Sequence, residues 1–391
     1  SSGWVIDGKQ VPYIGIPSVV SPSLTWERVT TIDLGFDARF FNNELGVSFD
    51  WYQRTTSDMH SPGETLPSTF GSTTMPKVNS GELQGRGFEL SIDYNKRFAC
   101  GLGLTARATL SKIREKITKY NNPNKNIYGN YEGKIIGEIW GYEANDLFLT
   151  NQEVDEYLRG VDMSFFKPNK DWQRGDLKYI DSNGDGKIDP GSGTLKDHGD
   201  LKIIGNTTPR YSFGLNLHAG YKGFEVSALF QGVMKRDFPM AASTYLFSGD
   251  SNFFKEHLDY YNVYNPGAYL PRLTKPDSPE YNANVGYNTS RYLLNAAYMR
   301  LKNLMISYNF QPKLVKKMGL ENLKVYFTCD NLFTIDNLPD VFDPETLNQV
   351  NTWAGGSNET APGLTSPMKQ NGNGKVYPLN KNYVFGIEFT F

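Results

Sequence analysis

The last eleven residues, Lys381-Asn-Tyr-Val-Phe-Gly-Ile-Glu-Phe-Thr-Phe391, restrict the fold more than any other stretch. Tyr383, Phe385, Ile387, Phe389 and Phe391 take every second position, with Val384, Gly386, Glu388 and Thr390 between them. A period of two puts the five large apolar groups on one face of a β-strand. Such a strand is long enough to cross a bilayer at a tilt. A soluble sandwich strand could carry the same alternation, so recurrence of the pattern decides.

The pattern recurs. Ile32, Leu34, Phe36, Ala38 and Phe40 share one face, opposite Thr31, Asp33, Gly35, Asp37 and Arg39, after a Pro-rich loop over residues 1–29. Asn42-Asn43 predicts a tight turn, because both residues tolerate φ > 0. Leu45, Val47, Phe49 and Trp51 lead back. A second hairpin is expected over 83–110, turning at Asn95-Lys96-Arg97, with Leu104 near the middle of the span. A third runs from Arg210 and turns at Lys222-Gly223. A fourth pairs Leu304, Ile306, Tyr308 and Phe310 with Leu323, Val325, Phe327 and Cys329. Its link begins at Pro312 and ends at Gly319, which predicts one short helix. Burying Asp33, Asp37 and Arg39 in a dry core would be costly, whereas a wet lumen accepts them.

Nine strands therefore alternate between short and long connections, the long ones running from roughly 30 to nearly 100 residues. Transmembrane β-barrels show this asymmetry, with short periplasmic turns and long external loops. The parity expects the C-terminus on the periplasmic side. Nine is odd, and an open edge in lipid would leave backbone groups unpaired, so further strands are expected upstream. The fold class is all-β: the C-terminal portion, about nine antiparallel strands, of a large transmembrane barrel with long extracellular loops. Net charge is -2, which gives no electrostatic footprint for nucleic acid. Cys100 and Cys329 are too few for a disulfide framework and are expected as free thiols on non-adjacent strands, in the lipid-facing parity.

The chain resembles the C-terminal half of SusC/RagA-type TonB-dependent outer-membrane transporters. The matching stretches are Leu24-Thr-Trp-Glu27, Asn79-Ser-Gly-Glu-Leu-Gln-Gly-Arg-Gly-Phe-Glu89, Gly137-Glu-Ile-Trp-Gly-Tyr142, Gly175 to Asp189, Ile204-Gly-Asn206, Tyr221-Lys-Gly-Phe224, Tyr298-Met-Arg-Leu-Lys-Asn-Leu304 and Asp330-Asn-Leu-Phe-Thr334. The resemblance implies that residues 1–391 are one segment of a 22-stranded barrel whose N-terminal plug and upstream strands lie outside this sequence. It makes 112–208 a large extracellular loop. It also implies an outer-membrane importer of oligosaccharides or oligopeptides, energised by TonB and lidded by a SusD-like lipoprotein. Alternatives from other classes are a passive porin or structural barrel, and a secreted all-β glycan-binding protein or hydrolase.

Trp140, Tyr142, Trp172, Tyr245, Phe247, Tyr260, Tyr261 and Trp353 fall in the long connections. They are candidates for stacking on cargo or holding the lid. The competing reading is that these rings pack the loops together. Asp181-Ser-Asn-Gly-Asp-Gly-Lys-Ile-Asp189 has the spacing of an EF-hand-type calcium loop: Asp181, Asn183, Asp185, the Lys187 carbonyl and Asp189 as ligands, with Gly186 at the sharp turn. The twelfth position is Ser192 rather than a bidentate acid, which leaves Asp197 or Asp200 from further on, or a water, to fill that place. A metal-free loop of Asx-turns is the alternative. Thr150-Asn-Gln-Glu153 predicts a helix N-terminus. His60, His198, His218 and His257 share no metal spacing, with His218 on a strand and the others in loops. No nucleophile elbow or phosphate-binding glycine loop is present, and no enzymatic activity is expected.

Overall fold

The computed structural model describes residues 24–63, 76–240, 255–275, 278–347 and 377–391, together with 4–6, 9–11, 21 and 69. Nine antiparallel strands form one sheet in chain order. They are β1 (Arg28–Phe40), β2 (Leu45–Pro62), β3 (Lys77–Arg97), β4 (Gly103–Lys119), β5 (Arg210–Tyr221), β6 (Phe224–Lys235), β7 (Tyr298–Asn309), β8 (Asn322–Asp330) and β9 (Asn382–Thr390). Thr334–Asp336 adds a short strip beside β7, beyond the end of β8. Near the start, expected as loop, Trp4–Ile6 pairs with Lys9–Val11.

Register carries the two faces across the whole sheet. Phe36 lies opposite Phe49, Phe49 opposite Leu90, Leu90 opposite Leu110, and Leu110 opposite Phe213. Val226 meets Ile306, Ile306 meets Phe327, and Phe327 meets Phe385. These rows point away from the polar parity and stay open to the surroundings; Leu34 is 66% and Phe385 71% exposed. A slip by one residue anywhere would carry the apolar row to the other face, so each register is fixed by its neighbours.

The rows also climb. Passing from pair to pair, Phe40 at the end of β1 connects through Leu45, Tyr94, Ala106, Leu217, Ala228, Leu304 and Cys329 to Tyr383 near the start of β9. This accumulated stagger is what tilted barrel strands require. On the opposite face Tyr326 lies flat over Gly386, where a Cβ would collide with the ring.

The short connections follow local chemistry. Phe41, Asn42 and Asn43 all adopt left-handed φ, at 54°, 54° and 69°, in the first turn. Lys222 and Gly223, at 48° and 91°, make a two-residue turn between β5 and β6. The fourth link is helical over Pro312–Val315 and continues as a 3-10 turn to Met318, stopped by Gly319 at φ 76°.

Several boundaries differ from those expected. The second hairpin runs 77–119 rather than 83–110, with its turn at 98–102 and Gly101 at φ 90°. Leu104 therefore sits beside that turn, not at mid-span, and Cys100 is in the turn rather than on a strand. Both thiols are free, Cys100 exposed and Cys329 buried. β2 continues past Trp51 to Pro62 and takes in His60. The physical reason is the same at both ends: past Tyr94 the pairing continues through Asn95, Lys96 and Arg97, opposite Thr105, Leu104 and Gly103, which carries the turn to 98–102. Beyond Trp51 and Phe88 the same outer row carries Gln53, Arg86 and Arg114, so the strands leave the apolar band while staying paired. Hydrophobic alternation marks the band and not the strand end.

Ile92 lies inside the band, between Val47 and Ala108 on its neighbours. Ile92→Arg should cost about 2–4 kcal/mol of folding free energy in a bilayer. Arg107→Leu, on the polar face where the guanidinium reaches only Ser91 Oγ at 3.4 Å, should cost less than about 1 kcal/mol. Urea titration in lipid vesicles, read by heat-modifiable gel mobility, measures both. Equal losses would refute the assignment of faces.

Candidate functional site

At the long-connection end of the sheet, the described parts of the loops pack on one another instead of standing apart, and three pairs of short strands tie them. Glu138–Tyr142 pairs with Leu201–Asn206, Ala144–Leu147 with Leu177–Tyr179, and Asp237–Pro239 with Leu293–Asn295. A helix over Asn151–Leu158 starts at Thr150, whose Oγ1 accepts the Glu153 N–H at 3.1 Å, while Glu153 Oε2 accepts the Leu149 N–H. The sequence places this helix at 152–159; it begins and ends one residue earlier.

The middle of this layer is aromatic. Phe166 stacks on Tyr179 with centroids 4.2 Å apart, and Tyr142 meets both edge-on. Trp172 stands edge-on to Phe166 and Tyr179. Aromatic pairs in these geometries add about 0.5–1.5 kcal/mol each beyond their burial. Burial pushes the Tyr142 and Tyr179 phenols well above the usual tyrosine range.

Beside the rings sits one carboxylate, Asp176, with no exposed side-chain surface. It accepts from Lys167 Nζ at 2.7 Å, Arg272 Nε at 2.6 Å, Asn284 Nδ2 at 2.9 Å and the Gln173 N–H at 2.9 Å. Lys167 is likewise fully buried and lies 4.3 Å from the Trp172 ring centroid. Burial lowers the Lys167 ammonium pKa, which the Asp176 charge partly opposes. The node joins the segment 163–177 to the segments 272 and 284.

The aromatic candidates separate by burial. Tyr142, Trp172 and Tyr261 are buried in the core of the layer, and Tyr261 donates its hydroxyl to Leu149 O at 2.8 Å. Their rings pack the loops together and are not presented to a ligand in this structure. Trp140 and Tyr260 are half-buried at the margin. The Trp140 indole N–H reaches Glu138 Oε1 at 3.1 Å, and its ring lies 5.5 Å from that of His198. Tyr245, Phe247 and Trp353 lie outside the described residues. Among the described residues the most open ring of the layer is one that sequence reading passed over, Tyr264, 95% exposed in a turn where Asn262 Oδ1 accepts the Tyr264 N–H. The signal available for it was the Asn-Pro-Gly turn that follows.

The 181–189 loop is wound as its spacing predicts. Asp181 accepts the Gly184 and Gly186 N–H groups, Asn183 accepts that of Asp185, and Asp185 that of Lys187. Gly186 holds φ 80°. The two acids offered for the twelfth position have backbone partners. Asp197 turns away to the Ser192 N–H, and Asp200 accepts the Ser182 and Asp189 N–H groups, stapling the loop's ends. Burial raises the Asp200 carboxyl pKa. Among the described residues no three His, Cys, Asp or Glu side chains converge on a common point. The four histidines stay apart: His60 on β2, His218 on β5, His257 buried in a 3-10 turn and His198 against Trp140.

Asp176→Ala should leave Lys167 as a buried charge without its partner and cost about 3–5 kcal/mol of local stability. Hydrogen exchange should show residues 138–206 opening while the strands stay protected. Unchanged exchange there would rule out the node as the organiser of the layer.

Comparison with known proteins fits this geometry. A family model described as TonB dependent receptor-like, beta-barrel matches residues 7–221. TonB-dependent receptor P3 of Formosa agariphila is 27% identical over 356 residues, covering 87% of this chain and 33% of that protein. TonB-dependent receptor SusC of Bacteroides thetaiotaomicron is 23% identical, covering 85% and 31%. Among solved structures, the RagAB peptide transporter superposes with a TM-score of 0.62 at 22% identity, over 96% of this chain and 37% of that one. The chain thus spans about a third of the length of the relatives it matches, and these are receptors and transporters, not enzymes. It belongs to the TonB-dependent receptor β-barrel family and resembles the SusC/RagA-type members.

Proposed function

We propose that the full-length protein is an active outer-membrane importer of oligosaccharides or oligopeptides, energised by TonB and working with a SusD-like surface lipoprotein. The observation that carries this reading is the sheet itself: an unbroken apolar outer face, a polar inner face, and folded long connections at one end only. In this reading the long connections are extracellular, and the short turns and the C-terminus are periplasmic. The wall has no chemistry of its own to drive transport, so the energy comes from a partner. Half-buried Trp140 and Tyr260 and exposed Tyr264 border the layer that a lid or cargo would meet, since aromatic faces stack on sugar rings and on peptide side chains.

The test is purification of the native protein from detergent-solubilised outer membrane, with partners and retained ligand identified by mass spectrometry. A lipoprotein partner with a bound sugar or peptide is expected. A lone barrel with neither would overturn the importer in favour of a passive pore.

The same reading gives the 181–189 loop one Ca²⁺ as a structural staple, with Asp181, Asn183, Asp185, the Lys187 carbonyl and Asp189 as its oxygen donors. Oxygen donors at this sequence spacing suit a hard cation, and binding would draw together carboxylates that now accept backbone N–H groups. Millimolar Ca²⁺ should slow proteolysis of the loop in the wild type and leave an Asp181→Ala/Asp185→Ala variant unchanged. Equal protection of both, or of neither, would leave the loop as a metal-free staple held by Asp200.

A further inference from the structure

The link between β7 and β8 has a composition that the barrel alone does not require. Lys313, Lys316 and Lys317 stand against a single acid, Glu321, over residues 311–322. All three lysines are exposed and make no salt bridge among the described residues. Leu314 and Met318, four positions apart, are 52% and 60% exposed, while Val315 is fully buried and anchors the turn. A helical turn this short gains its stability from that anchor rather than from its own hydrogen bonds. It thus presents two apolar side chains and three ammonium groups outward at once.

Its position explains the pairing. The link leaves the sheet directly below Tyr308 and Phe310, whose rings meet edge-on at 4.9 Å, with Phe224 4.5 Å from Tyr308 on the neighbouring strand. These aromatics end the apolar outer rows. The adjacent turn adds Lys222, held close because the Asn309 N–H donates to Gly223 O at 2.8 Å. Lys324 nearby is already neutralised by Glu225. These exposed ammonium groups, that of Lys222 5.1 Å from the Tyr221 ring centroid, sit beside the edge of a lipid-facing aromatic row, which is headgroup level, where apolar side chains dip into the acyl boundary and lysines meet phosphate.

We infer that the 312–318 turn, with Lys222, is a docking surface for anionic phospholipid headgroups of the leaflet on the short-turn side. The occupant follows from charge complementarity and from continuity with the lipid-facing rows. The inference rests on the outer-membrane reading above.

The test uses the full-length protein in vesicles that contain both phosphatidylglycerol and phosphatidylcholine, with co-purifying lipid counted by native mass spectrometry. The wild type should retain phosphatidylglycerol over phosphatidylcholine by about fivefold or more relative to the bulk mixture. Lys313→Ala/Lys316→Ala/Lys317→Ala should bring that ratio close to bulk while keeping heat-modifiable folding. Leu314→Ser/Met318→Ser should reduce the amount retained with less change in headgroup preference. A triple variant that folds and keeps the wild-type ratio overturns the inference, as does a preference that is absent in the wild type. A wild type that fails to insert into any bilayer would instead overturn the membrane reading.

Discussion

Everything in this chain depends on pairing backbone groups where no water can satisfy them. In hydrocarbon an unpaired N–H or C=O costs several kcal/mol, so a spanning sheet is stable only if each strand is bonded to the next along the span. The nine strands meet this condition in strict sequence order, and the side chains then sort by parity. The stagger accumulated from Phe40 to Tyr383 shows that the sheet is built tilted, as barrel closure demands.

The layer above obeys different physics. It is water-exposed, and its stability comes from an ordinary core of rings and aliphatic side chains around one saturated buried carboxylate. Asp176 receives four donors from three segments, which makes the loops one folded unit. A smaller node repeats the device near β7. Asp343 accepts from Arg300 Nη2 and from the Glu345 and Leu379 N–H groups, so the entry to β9 is tied back to the wall. The described parts of the long connections thus pack as one folded unit at one end of the sheet.

Six of the eight short fragments that carried the family resemblance are paired in space. Asn79 clamps Thr25 through both its backbone groups, at 2.8 and 2.9 Å, which joins the first two fragments. The 137–142 and 204–206 fragments form one two-stranded sheet. Arg300 donates to Thr334 Oγ1 at 2.7 Å, joining the last two. Each fragment is weak when read alone, because its meaning lies in a partner far along the chain.

By itself the sequence determined the nine strands, their faces, the first and third short turns and the helical link, but it placed the second turn at 95–97 where the chain turns at 98–102. Those follow from alternation and turn chemistry, which act over a few neighbouring residues. It did not determine where strands end beyond the apolar band, since Gln53, Arg86 and Arg114 continue the pairing without the hydrophobic signal. Nor did it separate aromatics that bury from aromatics that face outward. Tyr142, Trp172 and Tyr264 look alike in sequence, and only packing against Phe166, Tyr179 and the Asp176 node decides that the first two are core and the third is surface. Burial is a property of contacts between distant segments, and no local pattern encodes it.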